Sequence, residues 1–179
     1  MKLGLEGIHD RKRPFKVVFV CWANVCRSRL LESAGKKWIR KNRAQGSIQV
    51  TSAGISIPAK NMVPGWRFRL LSWFRGYRLT RVQKQLSKLH LNSSDLIVVV
   101  DRLCLDSLKT IDPSPRSNVA LLSDFLESDW PVDVPDPMVG TFEKCRRVIS
   151  MIETAVPRIL QQSKPGAGIE SANLVQAAD

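Results

Sequence analysis

Four runs of consecutive apolar residues, "FKVVFV", "SIQVTSA", "DLIVVVD" and "SNVALL", constrain the fold of this chain most. A strand with one wetted face alternates apolar and polar side chains. These runs hardly do, so they read as strands buried on both faces, as in a parallel sheet. Parallel neighbours need long crossovers, and the stretches between the runs carry helical spacing. Leu30, Leu31, Ala34 and Trp38 share one side of residues 28–42, and shorter helical patterns cover 66–75 and 103–110. In "TFEKCRRVISMIETAVPRILQQ", Phe142, Cys145, Val148, Ile149, Ile152, Ala155 and Val156 form a stripe. Pro157 is predicted to bend or interrupt the last turns. This alternation predicts an α/β fold with right-handed crossovers and ligands at the carboxyl ends of the strands.

The chain has 179 residues, which suits one domain, and its 44% apolar content can supply a core. Residues 1–14 read as a basic arm, 15–163 as the folded body and 164–179 as a frayed tail rich in glycine, proline and alanine. Four cysteines at irregular spacing and two histidines do not form a metal-ligand pattern, so neither a metal nor a cofactor is predicted. The N-terminus lacks the apolar core of a signal peptide, and no run approaches a membrane span. A cytoplasmic chain with reduced thiols is the expectation. The net charge of +12 predicts attraction to anions or a silent basic surface; no nucleic-acid partner is predicted.

Cys21 ends the first strand, and Arg27 follows six positions later at the mouth of a helix. Backbone N–H groups from Trp22 through Ala23, Asn24, Val25, Cys26 and Arg27 to Ser28 can curl into an oxyanion nest, and the helix adds its free N-terminal donors. Arg27 offers a planar fork to a bound phosphate. The same positive field favours a thiolate at Cys21, a nucleophile placed for in-line attack. The plainer reading is a buried structural cysteine beside a helix-capping serine.

"VVFVCWANVCRSRLLES" resembles the signature of the low-molecular-weight protein tyrosine phosphatases, V-C-x-G-N-x-C-R-S-P-x-x-E, and the resemblance extends over about residues 15–162. "TSAG" at 51–54, "DLIVVVDRLCLDSL" and "VPDPMVG" at 134–140 match further segments of that family in order. The resemblance implies a three-layer α/β/α fold around a four-stranded parallel sheet, of the phosphotyrosine protein phosphatase I type. It also implies metal-independent hydrolysis of phosphomonoesters, protein phosphotyrosine first. Cys21 would become a phosphocysteine while Arg27 and the loop amides hold the equatorial oxygens. Ser28 would hydrogen-bond the thiolate, and Asn24 would brace the loop in a left-handed conformation. Ser52 would support the loop from the second strand. Asp136 would act as general acid and then base, the alternative being a plain Asp-Pro turn. Cys26 is a redox candidate that could pair with Cys21, or a small packing residue.

Several positions depart from the family pattern. Ala23 replaces glycine, Arg29 replaces proline, and Arg81 stands where a buttressing histidine is usual. Met138 and Val139 follow Asp-Pro in place of aromatic residues; Trp22 either supplies the missing wall or narrows the entrance. Phosphate chemistry is thus better supported than tyrosine specificity. Two alternatives stay open: an arsenate reductase of the same fold using Cys104 as relay thiol, and a non-catalytic oxyanion-binding module.

"GWRFRLLSWFRGYRLTR", residues 65–81, clusters Trp66, Leu70, Trp73, Phe74 and Tyr77 beside Arg67, Arg75 and Arg78. It reads either as a packed core helix or as a face for an anionic membrane surface or acidic partner. The second reading adds a peripheral membrane location.

Overall fold

The computed structural model describes residues 13–59 and 61–163; residues 1–12 of the arm assigned to 1–14, and the whole tail assigned to 164–179, lie outside the described residues. Strands β1 (Phe15–Cys21), β2 (Ile48–Gly54), β3 (Leu96–Val99) and β4 (Asn118–Leu121) form one parallel sheet in the order β2-β1-β3-β4. Helices α1 (Arg27–Lys41), α2 (Trp66–Phe74), α3 (Lys88–Ser93), α4 (Arg102–Ile111) and α5 (Phe142–Gln162) complete a three-layer α/β fold.

The central strands β1 and β3 are nearly all buried. The edge strands are wetter, with Gln49 of β2 and Asn118 of β4 exposed, because an edge strand lacks a neighbour on one side. Arg13 reaches the start of β3, donating from both guanidinium nitrogens to Asp95 at 2.8 Å each.

The order in which strands are added reverses at β1: β2 lies on one side of it, and β3 is laid on the other. At such a switch point the loops leaving two adjacent strands part and open a crevice at their carboxyl ends. Cys21 closes β1, and Asp101 follows β3 on the other lip.

Two sequence expectations change, and one helix has no counterpart in the sequence reading. Helix α5 does not stop at Pro157 but runs to Gln162, with Ile159 and Leu160 fully buried. Burying two such side chains stabilises by about 1.5–3 kcal/mol each, enough to offset a proline's cost of about 3 kcal/mol. Phe142 leaves the α5 core stripe; it is partly exposed and meets Trp66 edge-on, ring centres 5.4 Å apart. Helix α3 carries no signal in the sequence, since six residues are too few for periodicity.

Candidate active site

The loop between β1 and α1 is shaped by residues within it and by the scaffold behind it. Asn24 takes φ 51°, in the left-handed region where asparagine is among the few tolerated side chains. Ala23 has no positive φ, so its methyl group replaces the family's glycine without backbone strain. The loop rests on Gly54, where a Cβ would come within 2.8 Å of the Asn24 amide nitrogen. Only glycine permits that approach. The Ser56 amide donates to the Trp22 carbonyl at 2.9 Å, and the Gln83 side chain donates to that of Ala23 at 3.1 Å.

A chain of buried hydrogen bonds runs from the thiol into the protein. Cys21 Sγ lies 2.9 Å from Ser28 Oγ. Asn24 Nδ2 donates to Ser28 Oγ at 3.0 Å and to Ser52 Oγ at 2.9 Å. Ser52 donates in turn to Glu32 Oε2 at 2.6 Å, and the other Glu32 oxygen pairs with Lys36. The Lys84 amide donates to Asn24 Oδ1 at 2.9 Å. Segment 79–85 therefore braces the loop through Gln83 and Lys84, whereas Arg81 is exposed.

Arg27 is buried, and its Nη1 donates to Asp101 Oδ2 at 2.6 Å and to the Val134 carbonyl at 2.9 Å. Its Nη2 lies 3.9 Å from Asp136 Oδ2. Burial alone would depress this guanidinium. The negative neighbours Cys21, Asp101 and Asp136 outweigh burial and hold it above its ordinary value. Asp136 is exposed at the mouth, its carboxylate anchored by the Met138 amide at 3.0 Å. No side chain caps the N-terminus of α1, whose first turn contains no acidic residue, so its N–H groups and positive dipole end suit an anion.

All four cysteines are free and buried. Burial, aided by Asp136 and Cys21, pushes the Cys26 thiol up to about 12. Burial and the hydrogen bond with Asp101 push Cys104 up as well. Trp22 stands partly exposed at the rim and Val25 is buried. Arg29 is buried with Nη1 on the Thr80 carbonyl, while its Nε and Nη2 have no partner. Burial lowers its affinity for the proton.

Cys21, Asn24, Arg27, Ser28, Ser52 and Asp136 thus converge around one crevice. Sequence reading missed Asp101 and Glu32. An acidic residue at the carboxyl end of a parallel strand was the available signal for Asp101. Glu32 is the terminal glutamate of the quoted signature. The Val134 carbonyl has no sequence signal.

The family model for low molecular weight phosphotyrosine protein phosphatase matches residues 16–166. The chain belongs to this family. The family's phosphatase YfkJ of Bacillus subtilis is 28% identical over 155 residues, covering 80% of this chain and 92% of that protein. Its crystal structure superposes with a TM-score of 0.75 over 86% of this chain and 96% of that one. Low molecular weight protein-tyrosine phosphatase A of Mycobacterium tuberculosis is 28% identical over 146 residues, 80% of this chain and 88% of its own length. A protein-arginine-phosphatase of Geobacillus stearothermophilus is 22% identical over 149 residues, 83% of this chain and 96% of that protein. Membership of the low molecular weight phosphatases makes this chain an enzyme of phosphorylated substrates.

Proposed function

We propose that this phosphatase hydrolyses phosphomonoesters, protein phosphotyrosine first, through a phosphocysteine on Cys21. The observation that carries the reading is the placement of Arg27. One guanidinium nitrogen is committed to Asp101 and Val134, and the group lies 3.9 Å from Asp136 and within the field of Cys21. With Nη1 anchored, the Nε–Nη2 edge is left for two oxygens of a phosphoryl group. The carbonyls of Trp22 and Ala23 are taken by the scaffold, so the loop offers the phosphate its N–H groups.

In the first step the Cys21 thiolate attacks phosphorus as the bond to the ester oxygen breaks. Asp136, protonated at that stage, gives its proton to the leaving oxygen. In the second step the Asp136 carboxylate takes a proton from water, whose oxygen attacks the phosphocysteine. The sulfur–phosphorus bond breaks, inorganic phosphate leaves, and the Ser28 hydroxyl stabilises the returning thiolate from 2.9 Å. Arg27 and the α1 N-terminus hold the charge of the equatorial oxygens throughout.

Trp22 supplies the aromatic wall that Met138 and Val139 do not, which keeps phosphotyrosine as the leading substrate. A buried, proton-retaining Cys104 argues against the arsenate-reductase alternative, because a relay thiol must ionise and be reached. The presence of Asp136 beside Arg27 argues against a non-catalytic module. The partners in this reading are cytoplasmic phosphoproteins, met in part at an anionic surface facing residues 65–81.

The test compares hydrolysis of an aryl phosphate, a phosphotyrosine peptide and a phosphoarginine peptide. Cys21→Ser should abolish turnover of all three. Asp136→Ala should slow aryl phosphate hydrolysis by about 10²–10⁴. Hydrolysis by Cys21→Ser at the wild-type rate, or arsenate reduction that depends on Cys104, would overturn the proposal. A preference for the phosphoarginine peptide would transfer the substrate assignment and leave the mechanism standing.

A further inference from the structure

Helix α2 is turned the opposite way from a core helix. It buries Phe68 and Ser72 against the body, while Trp66 is 58% exposed, Trp73 65% and Phe74 69%, with Leu70 also exposed. Trp66, Leu70 and Trp73 recur at intervals of four and three, so they form one outward stripe. With Arg69, Tyr77, Arg78 and Leu79 they line an open trough of about 510 Å³. An exposed apolar strip of this size on a small protein marks an interaction surface.

The chain segment that carries this helix is one-sided in charge. From Ser33 to Ser94 the sequence contains thirteen Lys and Arg and no Asp or Glu, so this segment accounts for the whole of the net positive charge. Arg67 lies over the Trp66 ring at 4.7 Å. Arg75 is partly offset by Glu153 of α5 at 2.5 Å, and Tyr77 donates to the same carboxylate. Arg69 and Arg78 stand on the trough itself.

We infer that α2 docks the enzyme peripherally on an anionic phospholipid bilayer, with Trp66, Leu70, Trp73 and Phe74 entering the interface and arginines meeting the headgroups. The trough is open to solvent along the exposed stripe, and the positive charge is spread over a broad segment. This matches a flat, diffuse negative field better than the shaped pocket of an acidic protein. Tryptophan, with an apolar body and a polar N–H, favours the headgroup level. Among the described residues no helix is long and apolar enough to cross a membrane.

The geometry ties this face to the active site. Gly65, which precedes α2, packs so closely on the Met138 carbonyl that a Cβ would approach to 2.7 Å, and its backbone hydrogen-bonds Cys26. Trp66 packs on Phe142. Docking through α2 therefore brings the mouth marked by Asp136 and Met138 close to the bilayer, where membrane-associated phosphoproteins are met. Binding itself does not depend on the catalytic reading.

Co-sedimentation of the full chain with vesicles of phosphatidylcholine, with and without phosphatidylserine, tests this. The wild type should bind the phosphatidylserine vesicles, release as salt rises, and leave phosphatidylcholine vesicles free. Trp73→Ala with Phe74→Ala should weaken binding about tenfold per side chain removed. Arg69→Gln and Arg78→Gln should each weaken it about fivefold. The Trp73/Phe74 variant should keep its melting temperature and its rate on a small soluble aryl phosphate. The inference fails if phosphatidylserine vesicles do not bind the wild type, or if they bind the Trp73/Phe74 variant equally. It also fails if the stripe instead supports a dimer, or binds polyglutamate while ignoring vesicles.

Discussion

Asp101 Oδ2 sits 2.6 Å from Arg27 Nη1, joining residues 74 positions apart in sequence across the switch point of the sheet. The same carboxylate, through Oδ1, accepts the Cys104 amide at 2.8 Å and so caps α4. One side chain thus orients the phosphate-binding arginine and starts a helix.

Asp101→Ala should therefore lose both activity and stability. Breaking a largely buried ion pair by removing one partner costs about 3–5 kcal/mol, and loss of the cap about 1 kcal/mol more. Asp101→Asn keeps the shape and one acceptor, so its stability and kcat should fall between those of wild type and alanine variant. Denaturant unfolding and aryl phosphate kinetics provide the comparison. Equal kcat in all three proteins would refute the positioning role.

Asn24→Ala places an alanine at φ 51° and removes three hydrogen bonds: those to the Ser28 and Ser52 hydroxyls, which keep Cys21 and Glu32 as partners, and that from the Lys84 amide. The backbone contributes about 1–2 kcal/mol to the loss, and each hydrogen bond removed about 0.5–1.5 kcal/mol. Asn24→Gly relieves only the backbone part, so its melting temperature should recover part of the difference. Its activity should remain low, because the loop stays unbraced.

Arg29→Met should stabilise the protein. Arg29 is buried with two nitrogens unpaired, and its charged form is disfavoured by burial. An apolar side chain of similar length removes the burial cost of the charge, on the order of several kcal/mol, against about 1–3 kcal/mol for the Thr80 carbonyl left without its donor. Urea unfolding at neutral pH gives the difference directly; a destabilised Arg29→Met protein would contradict the prediction.

Cys26 predicts an alkaline effect of definite sign. Burial raises its thiol from 9.0 to about 12, so the folded state holds this proton more tightly than the unfolded chain. The resulting stability is complete below pH 9.0 and is lost as pH rises toward about 12. Relative to Cys26→Ala, the wild type should lose stability across that window and show no such difference near neutrality. Thermal melts of both proteins on the same pH series check it.

Features set by neighbours in the chain are legible from residue order alone. The buried runs specify the strands, helical spacing specifies α1 and most of α5, and the span from Cys21 to Arg27 announces a strand, an anion-binding loop and a helix. The asparagine at the left-handed position belongs with them, because its tolerance of φ 51° is a property of one residue. Short-range sterics and periodic burial act within one or two turns, so the local sequence records them.

Contacts between distant segments are decided by packing. The sequence does not single out Asp101 as the partner of Arg27, or Glu32 as the anchor of Ser52, because the β3 crossover and the β1–β2 register bring those groups together. The orientation of α2 is of the same kind. Its apolar residues lie on more than one face, and it is the fit of Phe68 and Ser72 into the body that turns Trp66, Trp73 and Phe74 outward. A helix with two apolar faces can bury either one, and only the shape of the surface it packs on chooses between them.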